Sequence, residues 1–330
     1  METHTEYGKF TFHPNEEYIA NVMKQGIHWE KDLIKFILPL LSSKKDVLDI
    51  GAHIGTWSIP CSTRCNRVYS FEAQSNIFNL LQLNVYQNKI DNVLPFHNAV
   101  GHRSDIVAHL DNMINDGSSA NEIITYDNIN SKKINYGGIR LGRGGESVKM
   151  ISIDSLRLHN VQFIKVDVEG AEPLVFFGAK KTIKRCKPMI LFEKTYKGIT
   201  KDMVNSLSLK QNVVNFSIEE YCRSIGYSKA YPLNPGSDYL LLYKHDISRL
   251  INANIQAYDE TAVFSKDNSN EYILVLKDNE NEKISRGPFP VWTLSEDLIL
   301  VLFTDFNVSF QGKITSDRIT WDNGTTWFIK

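Results

Sequence analysis

The sequence predicts an α/β protein, a doubly wound sheet followed by a small all-β domain. Three observations carry this reading. Short apolar runs alternate with amphipathic stretches between about Trp29 and Tyr243, the pattern of a parallel sheet covered by helices. The run Val47-Leu48-Asp49-Ile50 leads straight into Gly51-Ala52-His53-Ile54-Gly55, a strand that meets a tight turn before a helix. Beyond Ile247 the helical periodicity stops, and brief strand-like runs separated by turn residues take over.

The elements follow in order. Residues 1–26 read as an irregular lead with a helix over Pro14–Lys24. An amphipathic helix is expected over Trp29–Leu41, with Trp29, Leu33, Phe36, Ile37 and Leu40 on one face. Strands are expected at Asp46–Ile50, Arg67–Phe71, Val93–Ala99, Phe163–Val168, Met189–Phe192 and Tyr239–Tyr243. Helices are expected after Gly55 and over Ser75–Asn88, Pro173–Cys186 and Ile218–Ile225. Asn112–Glu146, rich in Asn, Gly and Ser, breaks the rhythm. A loop of that length reads as an edge excursion or as a substrate lid. The C-terminal runs are Tyr272–Leu276, Leu298–Phe303, Asn307–Phe310, Ile319–Trp321 and Thr326–Ile329, and Asn323-Gly324 is a hairpin signal. The expected domains are therefore residues 1–246 and 247–330.

The bulk numbers weigh against some classes. With 330 residues, 42% hydrophobic and a formal net charge of -1, the chain is long enough for such a core and lacks the basic excess of a nucleic-acid binder. Met1–Phe12 has no signal core, and no run of ~18 apolar residues could cross a bilayer. A cytoplasmic protein without membrane or nucleic-acid partners is expected. Cys61, Cys65, Cys186 and Cys222 lack zinc-ligand spacing and read as free thiols.

The glycine turn decides the ligand. A dinucleotide site needs G-x-G-x-x-G, so that the backbone can approach a pyrophosphate. Here Gly51 and Gly55 are four apart, no third glycine closes the motif, and Asp49 stands just before them. An acid beside the turn repels a pyrophosphate and attracts an ammonium group. About twenty residues on, Val68-Tyr69-Ser70-Phe71-Glu72 repeats the plan, and a carboxylate at a strand tip can take two ribose hydroxyls. An amino-acid end, a ribose and no phosphate describe S-adenosylmethionine, which is the expected cofactor. Asn98 and Ala99 end the third strand, where the adenine is expected. Ala52, His53 and Ala73 flank the two acids and line the same pocket.

Ile164-Lys165-Val166-Asp167-Val168-Glu169-Gly170-Ala171-Glu172 is a core strand that suddenly carries acids. Lys165, Asp167 and Glu169 share one face of an extended strand. Asp167 is expected beneath the methyl donor. Glu193 ends a further apolar strand at the same sheet edge. Asp167, Glu169 and Glu193 are thus the catalytic candidates for removing a hydroxyl proton, and no metal is assigned to them. Glu172, just before Pro173, reads as the acid of a helix first turn. Trp321 and Trp327 flank the hairpin signal and read as β-domain core, or else as a sugar-stacking platform.

As an ordered set, Val47–Gly55, Tyr69–Glu72, Asn98–Gly101, Ile153–Leu156, Ile164–Glu172, Gly178-Ala179, Pro188–Glu193 and Gly226-Tyr227 resemble the FkbM family of methyltransferases over roughly Trp29–Tyr243. The resemblance implies a class I methyltransferase, Rossmann-like seven-stranded sheet. It also implies O-methyl transfer, commonly to hydroxyls of sugars, glycans or polyketide-like products. Carried onto this chain, it places Asp49, Gly51 and Gly55 at the donor, Glu72 at its ribose and Asp167 facing the methyl group. Glu30 resembles a family glutamate near the donor. Two positions depart from the pattern: His53 stands where the family usually has Asn, and Pro60 falls early in the first helix. The expected function is O-methylation of a sugar or glycan hydroxyl, with the β domain pairing subunits in a homo-oligomer. The alternatives are an RNA or protein methyltransferase, marked by salt-sensitive RNA binding, and a glycan-binding scaffold, marked by failure to bind the donor.

Overall fold

The computed structural model describes residues 1–16, 18–111, 135–194, 198–228, 230–233, 237–243, 255–257, 260–266, 272–278, 284–295, 298–303, 308–316, 318–322 and 325–329. Positions 112–134 of the expected lid, the expected boundary at 247 and the Asn323-Gly324 turn lie outside the described residues. Two compact units divide the chain: Met1–Tyr221 with Tyr231–Leu240, and Cys222–Ala230 with Leu241–Lys330.

The first unit is built on seven strands: β1 (Asp46–Ile50), β2 (Val68–Glu72), β3 (Val93–His97), β4 (Val161–Val166), β5 (Met189–Glu193), β6 (Tyr231–Pro232) and β7 (Asp238–Leu241). Their order is β3-β2-β1-β4-β5-β7-β6. Pairs β1–β2, β2–β3, β1–β4 and β4–β5 are parallel, and β6–β7 is antiparallel. All five residues of β1 are buried, which a strand covered on both faces requires. The chain winds outward from β1 to β3, then returns to β4 on the other side of β1. That reversal opens a crevice at the carboxyl ends of β1 and β4, the place where such sheets bind ligands. The expected doubly wound sheet is therefore present.

Several local expectations change. Residues 1–26 are not irregular. Glu2–Thr5 and Gly8–Thr11 form an antiparallel hairpin, and Phe10 and Phe12 are buried from it. The first amphipathic helix spans Lys31–Ile37, because Glu30 takes a left-handed backbone (φ 53°), and it passes into a 3-10 turn at Leu38–Leu40. The helix after the glycine turn starts at Ser58, so Pro60 falls in its first turn, where the missing N–H costs nothing. The helix expected over Pro173–Cys186 is two helices, Glu172–Gly178 and Lys180–Cys186. Gly178 packs against the backbone of Gly101, where an added Cβ would lie 2.0 Å from the carbonyl oxygen. Val93–Ala99 divides at Asn98, and Ala99–Val100 joins Ile106–Asp111 and Gly144–Ile151 in a separate three-stranded sheet. Among the described residues no helix is long and apolar enough to cross a membrane, and all four cysteines are free.

The second unit contains a closed antiparallel barrel of eight strands: Ile255–Ala257, Glu260–Lys266, Tyr272–Asp278, Ile284–Ser295, Leu298–Phe303, Val308–Ile314, Arg318–Trp321 and Thr326–Ile329. The first and last pair through Ile255 and Ile329. Ala262 and Phe264, and likewise Leu274 and Leu276, point inward at alternate positions, the period a barrel interior imposes. Trp321 and Trp327 lie in this core, 4.6 Å apart and edge to face. They share a face because Trp327 pairs with Ile319, two residues from Trp321.

Candidate active site

At the crevice, Gly51 is held between the neighbouring strands. Its N–H and that of Ala52 donate to the Phe71 carbonyl, and the Asp167 N–H donates to the Ile50 carbonyl. Gly51 has φ 82°, and an added Cβ would lie 1.7 Å from the Asp167 carbonyl oxygen. Only glycine closes this turn. His53 follows with φ 48°. Gly55, with φ 93°, packs against Leu81 and Ile59 instead of facing the crevice.

Above the turn lies a crevice open to solvent, with about 660 Å³ of empty space including that opening. Gly51, His53, Glu72, Ala73, Asn98, Ala99, Asp167 and Glu169 line it. So do residues that sequence reading missed: Phe71, Gln74, Val100, Leu110, Gly137, Ile139 and Leu141. The segment carrying the last three is anchored through Tyr136. Its N–H donates to Glu16 Oε2, its carbonyl accepts from Gln74 Nε2, and its hydroxyl meets His13 Nδ1 at 3.0 Å.

Glu72 is buried beside this cavity. Its Oε2 accepts from the His53 N–H at 2.9 Å and its Oε1 from the Gln74 N–H at 2.8 Å. Burial pushes its carboxyl up to about 7, against the pull of the Gln74, His53 and Ala73 backbone N–H groups. A carboxylate has about four lone-pair sites, so acceptor capacity remains. His53 is buried, and among the described residues neither ring nitrogen has a hydrogen-bond partner. Burial lowers its pKa to about 4, so the ring is neutral. Two orphaned nitrogens in a polar cavity wall cost free energy unless a ligand meets them.

The sheet beneath carries a buried charge cluster. Lys165 stands opposite Asp49 across β1 and β4, and its Nζ lies 2.6 Å from Asp167 Oδ2. Burial pulls the ammonium down, but Asp167, Glu30 and Asp49 together hold it above its ordinary value. Asp49 is buried and does not line the cavity. Its Oδ2 accepts from Ser58 Oγ at 2.5 Å, and Oδ1 has no partner among the described residues. Burial raises its pKa. Glu30 accepts from Trp57 Nε1 at 2.5 Å, and burial raises it to about 7. Ala52 is buried within the turn.

Asp167 keeps about 30% of its side chain exposed because it faces the cavity. Burial acts to raise its pKa, but Lys165 and a hydrogen bond with Glu193 outweigh burial and hold it down. Glu193 is pushed well up by burial and by Asp167. Of this hydrogen-bonded pair, Asp167 is the stronger acid and Glu193 the weaker. Oxygens of Asp167, Glu169 and Glu193 lie within 4.8 Å of one another. Glu193 lines a second cavity. Glu172 plays a structural part, accepting the Val168 and Gly170 N–H groups at 3.2 and 3.1 Å. Asn98 donates from its amide to the Lys149 carbonyl. Three site residues, Glu30, His53 and Glu169, are among the non-glycine positions with positive φ, and such strain gathers at functional sites.

Residues 49–228 match the methyltransferase FkbM domain family, more than half of the chain. No curated protein matches the chain. Among solved structures, it is similar to a methyltransferase FkbM from Methylobacillus flagellatus KT at 16% identity and TM-score 0.37, over 62% of this chain and 44% of that one. It thus spans less than half the length of that relative. An rRNA methylase from Streptococcus thermophilus is 11% identical over 66% of this chain and 96% of its own, with TM-score 0.35. A precorrin-6y C5,15-methyltransferase from Geobacter metallireducens GS-15 is 11% identical over 66% and 88%, with TM-score 0.34. The extent of the domain match, with the glycine turn and both strand-tip acids inside it, means that this chain belongs to the FkbM methyltransferase family.

Proposed function

We propose that the protein is an S-adenosylmethionine-dependent methyltransferase that methylates a hydroxyl of a sugar or glycan. One observation carries the reading: the cavity above Gly51 is walled by the Glu72 carboxylate on one side and the Asp167 carboxylate on the other. The residues present suit the cofactor. Glu72 retains acceptor capacity for a ribose hydroxyl. His53 lines the cavity, and among the described residues its two buried ring nitrogens have no hydrogen-bond partner. Val100, Leu110, Ile139 and Leu141 give an apolar wall for a flat base, and the bare Gly51 lets a ligand approach the backbone.

Bound there, S-adenosylmethionine supplies a methyl group on a sulfonium, which is electrophilic without further activation. The protein's tasks are then to position and to take a proton. Asp167, held ionised by Lys165, accepts a hydrogen bond from the acceptor hydroxyl and orients its oxygen. As the new C–O bond forms, the methyl–sulfur bond would break with its electron pair left on sulfur, and the hydroxyl proton passes to the Asp167 carboxylate, beside Glu169 and Glu193.

Incubation of the purified protein with methyl-labelled donor and a panel of glycans tests this. Label is expected in base-stable ether linkage on a hydroxyl. Donor binding with label found only on RNA or on protein would replace the acceptor, and absence of donor binding would replace the whole reading with a scaffold role.

A further inference from the structure

A second cavity, of about 300 Å³, opens beside β5. We infer that it is the acceptor subsite and that it takes an uncharged pyranose ring, stacked on Phe216 and hydrogen-bonded by Ser217 and Glu219. The inference rests on the donor assignment proposed above.

Its position is the first argument. Asp167 and Glu169 line the donor cavity, whereas Glu193 lines the second. Their oxygens approach within 4.8 Å, so the two cavities meet at one carboxylate cluster. A hydroxyl reaching this cluster from the second cavity stands beside the groups that orient it and remove its proton. The hydroxyl oxygen gains the methyl carbon, the carbon–sulfur bond breaks with its electron pair left on sulfur, and the proton goes to a carboxylate.

The lining is the second argument. Phe216 is half-buried and lines the cavity, with Lys180 Nζ 5.8 Å from its ring centroid. Phe177 packs edge-on against it at 5.5 Å, and Tyr221 packs at 5.6 Å. The ring is therefore held in place, which makes it a low-entropy platform. The axial C–H face of a pyranose is apolar and flat enough to lie on such a ring, while its rim of hydroxyls needs polar partners. Ser217 and Glu219 stand at the start of the next helix and supply them.

Charge is the third argument. Glu172, Glu193 and Glu219 line the cavity, and the cation among its described lining residues, Lys194, is tied to Glu219 at 2.9 Å. Among the described residues, a phosphorylated or nucleotide-linked sugar would meet three lining carboxylates, while Lys194 is paired with Glu219 and Lys180 is seated over the Phe177 ring at 3.8 Å. A neutral polyol meets carboxylate acceptors and the Ser217 hydroxyl, with no charge to be matched.

The test uses the full chain. Calorimetric titration with S-adenosylhomocysteine measures the donor site. Initial rates with labelled S-adenosylmethionine are then taken against the methyl α-glycosides of glucose, mannose, galactose and fucose, and against glucose 6-phosphate and UDP-glucose. Saturable transfer to at least one neutral glycoside and none to the phosphorylated sugars is expected. Phe216→Ala should raise the acceptor KM about tenfold, with S-adenosylhomocysteine affinity unchanged, and Phe216→Tyr should restore it. Ser217→Tyr, which fills the cavity, should abolish transfer and spare S-adenosylhomocysteine binding. It decides the matter if Phe216→Ala loses the fold. S-adenosylhomocysteine binding combined with transfer to the phosphorylated sugars, with no transfer to any neutral glycoside, or with KM unmoved by either variant overturns the acceptor site and leaves the donor site standing. A wild-type protein that does not bind S-adenosylhomocysteine overturns both.

Discussion

Glu72 accepts a hydrogen bond from the backbone N–H of His53 at 2.9 Å. The tip of β2 thereby fastens the left-handed residue of the turn that follows β1. A left-handed backbone costs a histidine roughly 1–2 kcal/mol, and a charge-assisted bond to a buried carboxylate offsets that cost. The acid proposed to meet the ribose therefore also fixes the shape of the loop that meets the rest of the ligand. The site is organised before anything binds.

Gly51→Ala tests that organisation. The added methyl would overlap the Asp167 carbonyl oxygen, so β1 and β4 must separate where the cavity begins. The variant should lose donor binding by at least tenfold in calorimetry, about 1.4 kcal/mol, while far-UV circular dichroism stays close to wild type. Wild-type affinity would mean that the turn does not shape the site.

Stability should fall as pH rises from about 5 to 8. Glu30, Glu72 and Glu172 have an ordinary value of 4.5 and stand at about 7 in the fold, chiefly through burial. Between those values the folded state holds protons that the unfolded chain has released, so raising the pH favours unfolding. Glu193, raised as well, adds to this trend, whereas His53, whose ordinary value of 6.5 falls to about 4 in the fold, opposes it below about pH 6.5 as one group against four. Asp167, which is lowered, and Lys165, which is raised, do not titrate in that window. Denaturant titrations of the ligand-free protein should show a loss on the order of 2–4 kcal/mol, reduced in Glu172→Gln. A flat or rising profile would contradict the burial of these carboxyls.

Lys165→Met removes the cation that Asp167, Glu30 and Asp49 share. Breaking a buried ion pair from one side costs about 3–5 kcal/mol, so a drop in Tm of several degrees is expected. Asp167 would lose its main support as an ionised group, and the rate-versus-pH profile should move to higher pH. An unmoved profile with wild-type Tm would show that Lys165 is only packing.

Trp327→Ala should destabilise the barrel by roughly 3–5 kcal/mol, as expected of a buried aromatic, and leave S-adenosylhomocysteine affinity unchanged. A loss of nucleotide binding would tie the barrel core to the donor site.

How far the sequence reaches depends on locality. The strands β1, β2, β4 and β5 were legible because each is an apolar run ending at an acid or a glycine, and Gly51 was legible because a tight turn needs a positive φ. The same local signals picked out His53, Glu72, Asp167 and Glu169 on the cavity wall. Asp49 carried the same signal, yet it points into the sheet layer toward Ser58. Facing is set by the pleat, and the apolar run hides it. The hairpin of residues 2–11 was missed because Glu2–Thr5 is polar on both faces. The strand Ile284–Ser295 was missed because Gly287-Pro288 reads as a break, whereas the barrel accommodates it where the register with Tyr272–Asp278 shifts. The wall formed by Gly137, Ile139 and Leu141 returns to the site across more than twenty intervening residues, anchored by Glu16 and Gln74. No local pattern announces such a contact.

Calorimetric titration of the wild-type chain and Glu72→Gln with S-adenosylmethionine, between pH 6 and pH 8.5, tests the central claim most directly. The wild type should bind one equivalent, with affinity rising through about pH 7 as Glu72 ionises. Glu72→Gln should bind at least tenfold more weakly and lose that pH dependence. No binding by the wild type, or equal affinity in the two proteins across the range, would contradict the assignment of this pocket.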